Sequence, residues 1–437
     1  MCKGTKKEMK TRNGWPVCSL LILWVLTSLL LTACAVSGNL DGSGEVGRID
    51  AIPIDAGEPS QNPPAAENEG GFAVNSSYED IPLDECPNYV FYAGEGQLLL
   101  VGEGLTLLDG NALEIMRQNG DLGLDFDLRD FTSCSLTVLE KEYVLLGNWQ
   151  NFGKVEDLGN GTFGRSSSRE PELKLIRIGK DLQVMEAVAM NEIIGNEREV
   201  SAFVLAEQGS KLIFAESFHG LYVVDMNTGE RSTCIEFYDP LTGKENGGIA
   251  SVHSVQYVES KGQIYFTGSY YNSERKDFPQ TFGQVNMDGS GLSYEKAGVN
   301  AYGDLWCFDG FSLIEDMEFR EHGIGTAFYY DRSKELHIYP LADEYAGLQP
   351  SEEGNYFAVQ SVVWSEDGMN MGYMVRIYAS ESGGLIQEIA LPRTEIGENT
   401  VLSECVICED AGRILMFLCD RGTGDNAHIK VVNLSIQ

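Results

Sequence analysis

The sequence predicts an all-β fold, a β-propeller of six or seven blades with seven preferred, and three observations support it. Short segments rich in Val, Ile, Leu, Phe and Tyr alternate with turns of Gly, Asp, Asn or Ser, as in antiparallel meanders. No segment shows a long helical period. The pattern recurs at intervals of roughly 40 to 60 residues, and sheets of that size must stack on one another to bury both faces. Closing the stack into a ring would also remove exposed sheet edges.

The repeat begins with Gly or Ser, continues into an aliphatic and aromatic strand, and reaches its third strand through a D/N-x-x-Gly turn. The clearest copies cover 96–115, 210–237 and 262–296, and weaker copies cover 173–188, 374–391 and 414–434. The predicted blades are 87–118, 131–190, 199–238, 250–297, 305–342, 355–392 and 400–437. Residues 305–392 fit the repeat least well, which keeps six blades open. A pair of β-sandwiches is the alternative architecture.

The last repeat predicts only three strands, at about 401–408, 413–419 and 428–434. Propellers commonly complete such a sheet with a strand from the other end of the chain. We therefore expect residues near 71–77 or 88–93 to supply the missing strand.

Two turns connect these repeats to known propellers. The segments VVDMNTGE and VNMDGSG resemble turns of the TolB-like and YWTD-like propeller families, whose blades often carry an N-x-DGS or D-x-x-TG turn. The resemblance covers about residues 80–437. It supports the fold and implies little about activity, because one fold serves many functions.

The N-terminal segment has the layout of a secretory signal, with a basic stretch, an apolar run from about Cys18 to Ala33, and small residues after it. As a helix the run would span roughly 24 Å, less than the ~30 Å hydrocarbon core of a bilayer. The sequence Leu31-Thr32-Ala33-Cys34 resembles the bacterial lipobox. That resemblance implies cleavage before Cys34, which becomes the lipidated N-terminus. An uncleaved signal-anchor and ordinary secretion are the alternatives.

These features predict three regions. Residues 1–33 are a lipoprotein signal peptide, residues 34–80 are the lipidated Cys34 and a flexible acidic linker, and residues 81–437 are the propeller. The predicted localisation is the cell membrane, lipid-anchored, on the extracytoplasmic side. Two acyl chains give stable anchoring where a single chain does not.

The composition constrains the partners. The formal net charge of −35 would repel nucleic acids and anionic lipid surfaces. We therefore expect no nucleic-acid partner, contact with the membrane through the lipid anchor, a monomeric protein, and a protein, peptide or glycan ligand.

No segment carries a recognisable catalytic, metal or cofactor motif. The segment MDGSG lacks the strand-to-helix setting of a serine nucleophile elbow, and WSEDGMNMG resembles the Asp-box turn of sialidases without its closing aromatic residue. We predict no catalytic residue, no metal and no cofactor. The histidines stand singly, at His219, His253, His322, His337 and His428. Four acids that could attract calcium do not have EF-hand spacing, and a solvated loop is favoured for Asp121, Asp125, Asp127 and Asp130.

Cys405 and Cys408 form a C-x-x-C segment. They are predicted on a strand, where residues three apart point to opposite faces, so a redox motif is disfavoured. Buried thiols are the default, and a disulfide between Cys405 and Cys419 is the alternative.

The candidate ligand site is a rim of loops. The two long insertions, 149–172 and 269–280, and the segments that connect successive blades should share one face of the propeller. Aromatic and basic side chains gathered there would suit recognition, while the alternative is that each insertion packs over its own blade. The candidate ligand-binding residues are Trp149, Phe152, Tyr270, Tyr271, Arg275, Tyr302 and Trp306.

The first functional hypothesis is a cell-surface lipoprotein whose propeller binds a protein, peptide or glycan. The alternative is an extracellular glycan hydrolase or lyase with catalytic carboxylates in the central channel. The sequence favours a binding module without excluding an enzyme. A scaffold in envelope assembly or sensing is a third hypothesis.

Overall fold

The computed structural model describes residues 79–150, 156–159, 162–164, 171–194, 200–217, 219–238, 248–295, 304–316, 326–331, 336–340, 345–365, 369–421 and 423–435. The chain consists of two compact units, of which one comprises 1–71 and 152–168 and the other the remaining residues. In the first unit the described residues form one two-stranded hairpin. The seven four-stranded sheets found among the described residues all belong to the second unit.

Strand β1 (Glu79–Pro82) opens the described chain. Sheet 1 contains β2 (Tyr89–Gly94), β3 (Gln97–Val101), β4 (Leu105–Asp109) and β5 (Glu114–Asn119). Sheet 2 contains β6 (Phe131–Val138), β7 (Glu142–Trp149), β10 (Glu172–Gly179) and β11 (Val184–Ala189). The separate hairpin pairs β8 (Glu156–Gly159) with β9 (Thr162–Gly164). Sheet 3 contains β12 (Val200–Ala206), β13 (Lys211–Glu216), β14 (Gly220–Asp225) and β15 (Arg231–Glu236).

Sheet 4 contains β16 (Ile249–Val258), β17 (Gln263–Tyr270), β18 (Gln280–Asn286) and β19 (Ser293–Tyr294). Sheet 5 contains β20 (Leu305–Cys307), β21 (Phe311–Asp316), β22 (Thr326–Asp331) and β23 (Leu336–Pro340). Sheet 6 contains β24 (Tyr345–Pro350), β25 (Tyr356–Trp364), β26 (Asn370–Ala379) and β27 (Leu385–Pro392). Sheet 7 contains β28 (Thr400–Cys408), β29 (Arg413–Asp420), β30 (His428–Asn433) and β1. The short helices are α1 (Asn191–Ile194), α2 (Arg393–Ile396) and the 3₁₀ turn Leu128–Asp130.

The turns that carry the family resemblance close hairpins through side-chain hydrogen bonds. Asp225 Oδ1 accepts from the backbone N–H groups of Asn227 at 2.9 Å and Thr228 at 3.0 Å. Gly229 then adopts φ +72°, a left-handed conformation that glycine enters without steric cost. The D-x-x-TG spacing is thus an Asx turn followed by a glycine, which reverses the chain between β14 and β15.

Seven hydrophobic clusters of described residues join each sheet to the next, and one of them joins sheet 7 back to sheet 1. The closing cluster packs Val406, Leu415 and Phe417 of sheet 7 against Leu98 and Leu108 of sheet 1. Each fully buried side chain of this size contributes roughly 1.5–3 kcal/mol. The sheets therefore form a closed ring, which confirms the predicted β-propeller and makes the β-sandwich alternative wrong.

Two predicted boundaries need correction. The sheet predicted at 355–392 starts earlier, because 345–350 form its first strand, β24. The strand that completes sheet 7 is β1, which pairs with β30 from Glu79 opposite Val431 to Pro82 opposite His428. Residues 88–93 were the wrong candidate because most of them form β2 of sheet 1, and residues 71–77 lie outside the described ranges. Glu79 and Asp80, predicted as the end of the linker, are therefore strand residues.

The structure also settles the cysteine pairing. Cys419 forms a disulfide with Cys86, with 5.8 Å between their Cα atoms, so the alternative Cys405–Cys419 bond is wrong, while the default of buried thiols holds for Cys405 and Cys408. The bulge in β28 places Cys405 opposite Met416, and Val401 lies opposite Cys419. Cys405 and Cys408 are free thiols that face opposite sides of sheet 7, as their strand position predicted.

Candidate functional site

The first strand of every sheet contributes to one cavity of about 680 Å³ at the centre of the ring. This strand is the innermost one of its sheet. The seven innermost strands belong to seven different sheets, and they lie side by side around a common axis. The volume lies within the usual range for ligand sites of roughly 300–1,000 Å³. The contributing strands are β2, β6, β12, β16, β20, β24 and β28.

The cavity wall combines aromatic rings with hydroxyl, amide and carboxyl groups. Its described lining contains no Lys and no Arg, so no built-in cation offsets the two carboxyl groups there. The aromatic lining includes Tyr89, Phe91, Tyr92, Phe203 and Trp306, and the polar lining includes Ser133, Ser135, His253, Gln256, Asp304, Gln349 and Glu404.

Glu404 lies in the middle of β28 and is half-buried in the cavity wall. Burial raises the pKa of its carboxyl group to about 7, although the N–H of Cys405 donates a hydrogen bond that favours the charged form. Asp304 precedes β20 and is exposed to the cavity, yet the surrounding walls displace enough water to raise its pKa as well. Both carboxyl groups are therefore easier to protonate than ordinary surface acids.

His253 and Cys134 contribute neutral groups. Burial lowers the pKa of His253 to about 4, so its imidazole is uncharged at neutral pH. Its Nε2 lies 3.1 Å from Ser251 Oγ, which in turn lies 2.7 Å from Ser269 Oγ. Burial also raises the pKa of the Cys134 thiol, and a protonated thiol is a poor nucleophile.

Two of the predicted rim residues are buried. Trp149 ends β7, donates from Nε1 to the backbone oxygen of Asp127 at 3.2 Å, and lies under Lys174 Nζ, 4.6 Å from the ring. Tyr270 ends β17 and packs on Tyr294, with 5.4 Å between ring centroids. These two aromatic rings pack inside the sheets and do not form the surface of the rim.

Two other rim residues are accessible, and they lie on one turn of sheet 4. The Tyr271 ring stacks on Tyr238, with centroids 4.1 Å apart and planes within 3°. Arg275 is exposed and pairs with Asp277, with 3.2 Å between Nε and Oδ2. Trp306 is separate from this turn and lines the central cavity. Phe152, Tyr302 and Cys34 lie outside the described residues.

Asp127, one of the four acids that were considered for calcium, has another partner. Asp127 accepts the N–H of Arg129 at 2.9 Å as the cap of the 3₁₀ turn and also pairs with the Arg129 guanidinium group. In the described part of the chain, no group of three or more His, Cys, Asp or Glu side chains has a metal-binding arrangement. Likewise, no helix in the described ranges is long and apolar enough to cross a bilayer.

Sequence reasoning missed Glu404, Asp304, His253 and Tyr89 as members of one site. They are separated by up to 315 residues and share no motif. The one available signal was that each lies on or beside the first strand of a predicted blade, which a propeller places at its axis.

The fold and the cavity define the chain as a β-propeller protein. No family model and no curated protein sequence matches the chain. The β-propeller domain of Cps50 (Swd1) from Myceliophteria thermophila aligns with a TM-score of 0.52 and 13% identity, over 83% of this chain and all of that domain. At this identity the likeness shows the fold alone.

Two further solved structures align with lower scores, from which we argue nothing. Raptor from Chaetomium thermophilum has a TM-score of 0.49 and 10% identity, over 83% of this chain and 30% of that chain. Hydrazine synthase from Kuenenia stuttgartiensis has a TM-score of 0.47 and 9% identity, over 84% of this chain and 100% of that chain.

Replacing Glu404 with Gln is expected to raise the melting temperature at pH 8 more than at pH 5. The folded-state pKa, about 7, lies above the ordinary value of 4.5, so the folded protein holds a proton that the unfolded chain has released. The bound proton stabilises the folded protein fully at pH values below the pKa of Glu404 in the unfolded chain. This stabilisation is lost as the pH rises through 7. At pH 8 the wild type must bury a carboxylate, and Gln avoids that cost.

Thermal melts followed by circular dichroism at both pH values would measure the effect. Glu114→Gln, on the exposed outermost strand of sheet 1, is the matched control and should show no such pH dependence. Equal shifts for Glu404→Gln at both pH values would contradict the assignment.

Proposed function

We propose that this protein is an extracytoplasmic lipoprotein, anchored through Cys34, whose propeller is a monomeric binding module for a protein, peptide or glycan. The central cavity carries this proposal, because it is the one described feature to which all seven innermost strands contribute. Propellers commonly serve as binding or scaffold modules, and a concave site with aromatic walls and a few polar groups suits recognition.

The extracytoplasmic location is supported by two independent features. The lipobox-like segment ends at Cys34, and the disulfide between Cys86 and Cys419 is of a kind that persists in oxidising compartments and is rare in the cytosol.

Replacing Cys34 with Ser is expected to move the protein from the membrane fraction to the soluble fraction outside the cytoplasm, because the acyl attachment point is lost. Fractionation and immunoblotting would measure this. Cys18→Ser, within the apolar run, is the control and should leave the protein in the membrane. Continued membrane association of Cys34→Ser would support an uncleaved signal-anchor instead.

Replacing Trp306 with Ala is expected to abolish ligand binding at the cavity, since the variant removes a large aromatic surface from its wall. Trp306→Phe should restore most of the binding because it keeps an aromatic face. Peptide and glycan arrays probed with the full chain would measure both variants. If a ligand binds wild type and Trp306→Ala equally, the cavity is not its site.

One observation favours the second candidate, a glycan hydrolase or lyase. Asp304 and Glu404 line the same cavity and both have raised pKa values, as a general acid requires. Release of reducing ends from polysaccharides by the wild type, and its loss in both Glu404→Gln and Asp304→Asn, would support this function. Binding without turnover would support the module.

A further inference from the structure

The carboxyl groups of the cavity differ from those buried elsewhere in the sheets. Glu216 is almost fully buried and pairs with Arg231, with 2.8 Å between Oε2 and Nη2, and the buried Glu142 pairs with Arg177. Glu404 and Asp304 have no ion-pair partner among the described residues, and the cavity lining there has no Lys or Arg. Among the described residues, therefore, none supplies a cation to either of these two central carboxyl groups.

We infer that the cavity binds ligands that carry a primary ammonium group, held by the Glu404 carboxylate against the aromatic wall. This inference rests on the proposed function and names the chemistry of its ligand. The ammonium would take the place that Arg occupies beside Glu142 and Glu216. In the empty site, burial disfavours the charged form of Glu404 and leaves it partly protonated. The positive charge of the ligand would offset this cost.

The surroundings of Glu404 also favour a cation. The Glu404 charge contributes to the raised pKa of Tyr89, and Tyr89 and Trp306 both line the cavity with aromatic rings, a kind of group that attracts cations. The net charge of −35 adds a long-range negative potential that concentrates cations and repels anions.

The titratable groups around Glu404, apart from Asp304, are neutral near pH 7. Burial raises the pKa of Tyr89 on β2, of Cys134 on β6 and of Cys405 on β28 itself. Across the cavity, His253 is uncharged because its pKa is lowered to about 4, and Asp304 titrates with a raised pKa. Ammonium affinity should therefore increase as pH rises from about 5.5 to 8, since Glu404 becomes charged in that interval.

The test is a calorimetric titration of the full chain with tri-lysine and with tri-lysine acetylated on its side chains. Both peptides have a blocked N-terminus, so the acetylated peptide carries no ammonium group and differs from tri-lysine in those charges and in the three added acetyl groups. A second arm compares a glucosamine trimer with an N-acetylglucosamine trimer, which separates a peptide source of the ammonium from a sugar source. Each titration is run at pH 8 and pH 5.5, on wild type, Glu404→Gln, Asp304→Asn and the exposed-surface control Glu114→Gln.

We expect at least one amine probe to bind tenfold or more tightly than its acetylated partner at pH 8. That preference should fall about tenfold in Glu404→Gln and at pH 5.5, and should persist in Glu114→Gln, which has the same net charge as Glu404→Gln. If Glu404→Gln and Glu114→Gln weaken the binding of the amine probes equally, surface electrostatics explains the binding and the inference is overturned. If acetylated probes bind as well as amines and Trp306→Ala still abolishes binding, the ammonium inference fails while the proposed binding function stands.

Discussion

The double variant Cys86→Ser/Cys419→Ser is expected to lose about 2–5 kcal/mol of unfolding free energy, since the disulfide joins residues 333 positions apart. The bond fastens the segment after β1 to β29, at the point where the ring closes. Nearby, Leu83 N–H donates to the backbone oxygen of Ala427 at 2.8 Å, and Lys430 Nζ lies 3.0 Å from Asp80 Oδ1. The disulfide adds a covalent link to these contacts and to the pairing of β1 with β30.

Urea unfolding under oxidising conditions would measure the loss. Wild type treated with a thiol reductant should match the double variant, while the double variant itself should not respond to the reductant. Cys234→Ser, which changes a free thiol remote from β1 and keeps the disulfide, is the control and should lose stability on reduction as the wild type does. A double variant as stable as the oxidised wild type would show that sheet packing alone closes the ring.

The variant Gly268→Ala is expected to destabilise the fold by about 3 kcal/mol, at the upper end of typical overpacking costs. Gly268 lies within β17, and an added Cβ would be 2.1 Å from the backbone oxygen of Ser251. Backbone cannot rotate away as a side chain can, so β16 must separate from β17. The displaced strand carries His253, so the cavity wall should also be disturbed.

Gly347→Ala is the matched control, because Gly347 is also a strand glycine with ordinary φ but has no atom within 4 Å of the added Cβ. It should be neutral or slightly stabilising, since Ala restricts the unfolded chain more than Gly. Thermal and urea unfolding of both variants would measure the difference. Similar stabilities would mean that β16 accommodates the methyl group through its bulges.

Much of the fold followed from local sequence. The predicted blades 131–190 and 199–238 match sheets that span 131–189 and 200–236 within two residues at each end. Strand β24 was missed because YAGLQP contains Gly and Pro and lacks a run of β-branched residues. The first half of β1, whose sequence is EDIP, was predicted to be linker because four residues with two acids carry no periodicity.

The candidate site was predicted less well. The loop rim was chosen because insertions and exposed aromatic residues are visible in sequence, yet Trp149 and Tyr270 proved to be buried. The cavity depends on which inner-strand side chains face the axis, and this alternation shifts at bulges such as those in β16 and β28.

The sequence by itself determined most of the strands, the hairpin turns and the repeat, because each is specified by a few neighbouring residues such as Asp225 and Gly229. Only the tertiary structure decided that β1 completes sheet 7, that Cys86 pairs with Cys419, and that Glu404 and Tyr89 line one cavity. The physical reason is that ring closure brings together residues more than 300 positions apart, and their proximity arises from the packing of all seven sheets.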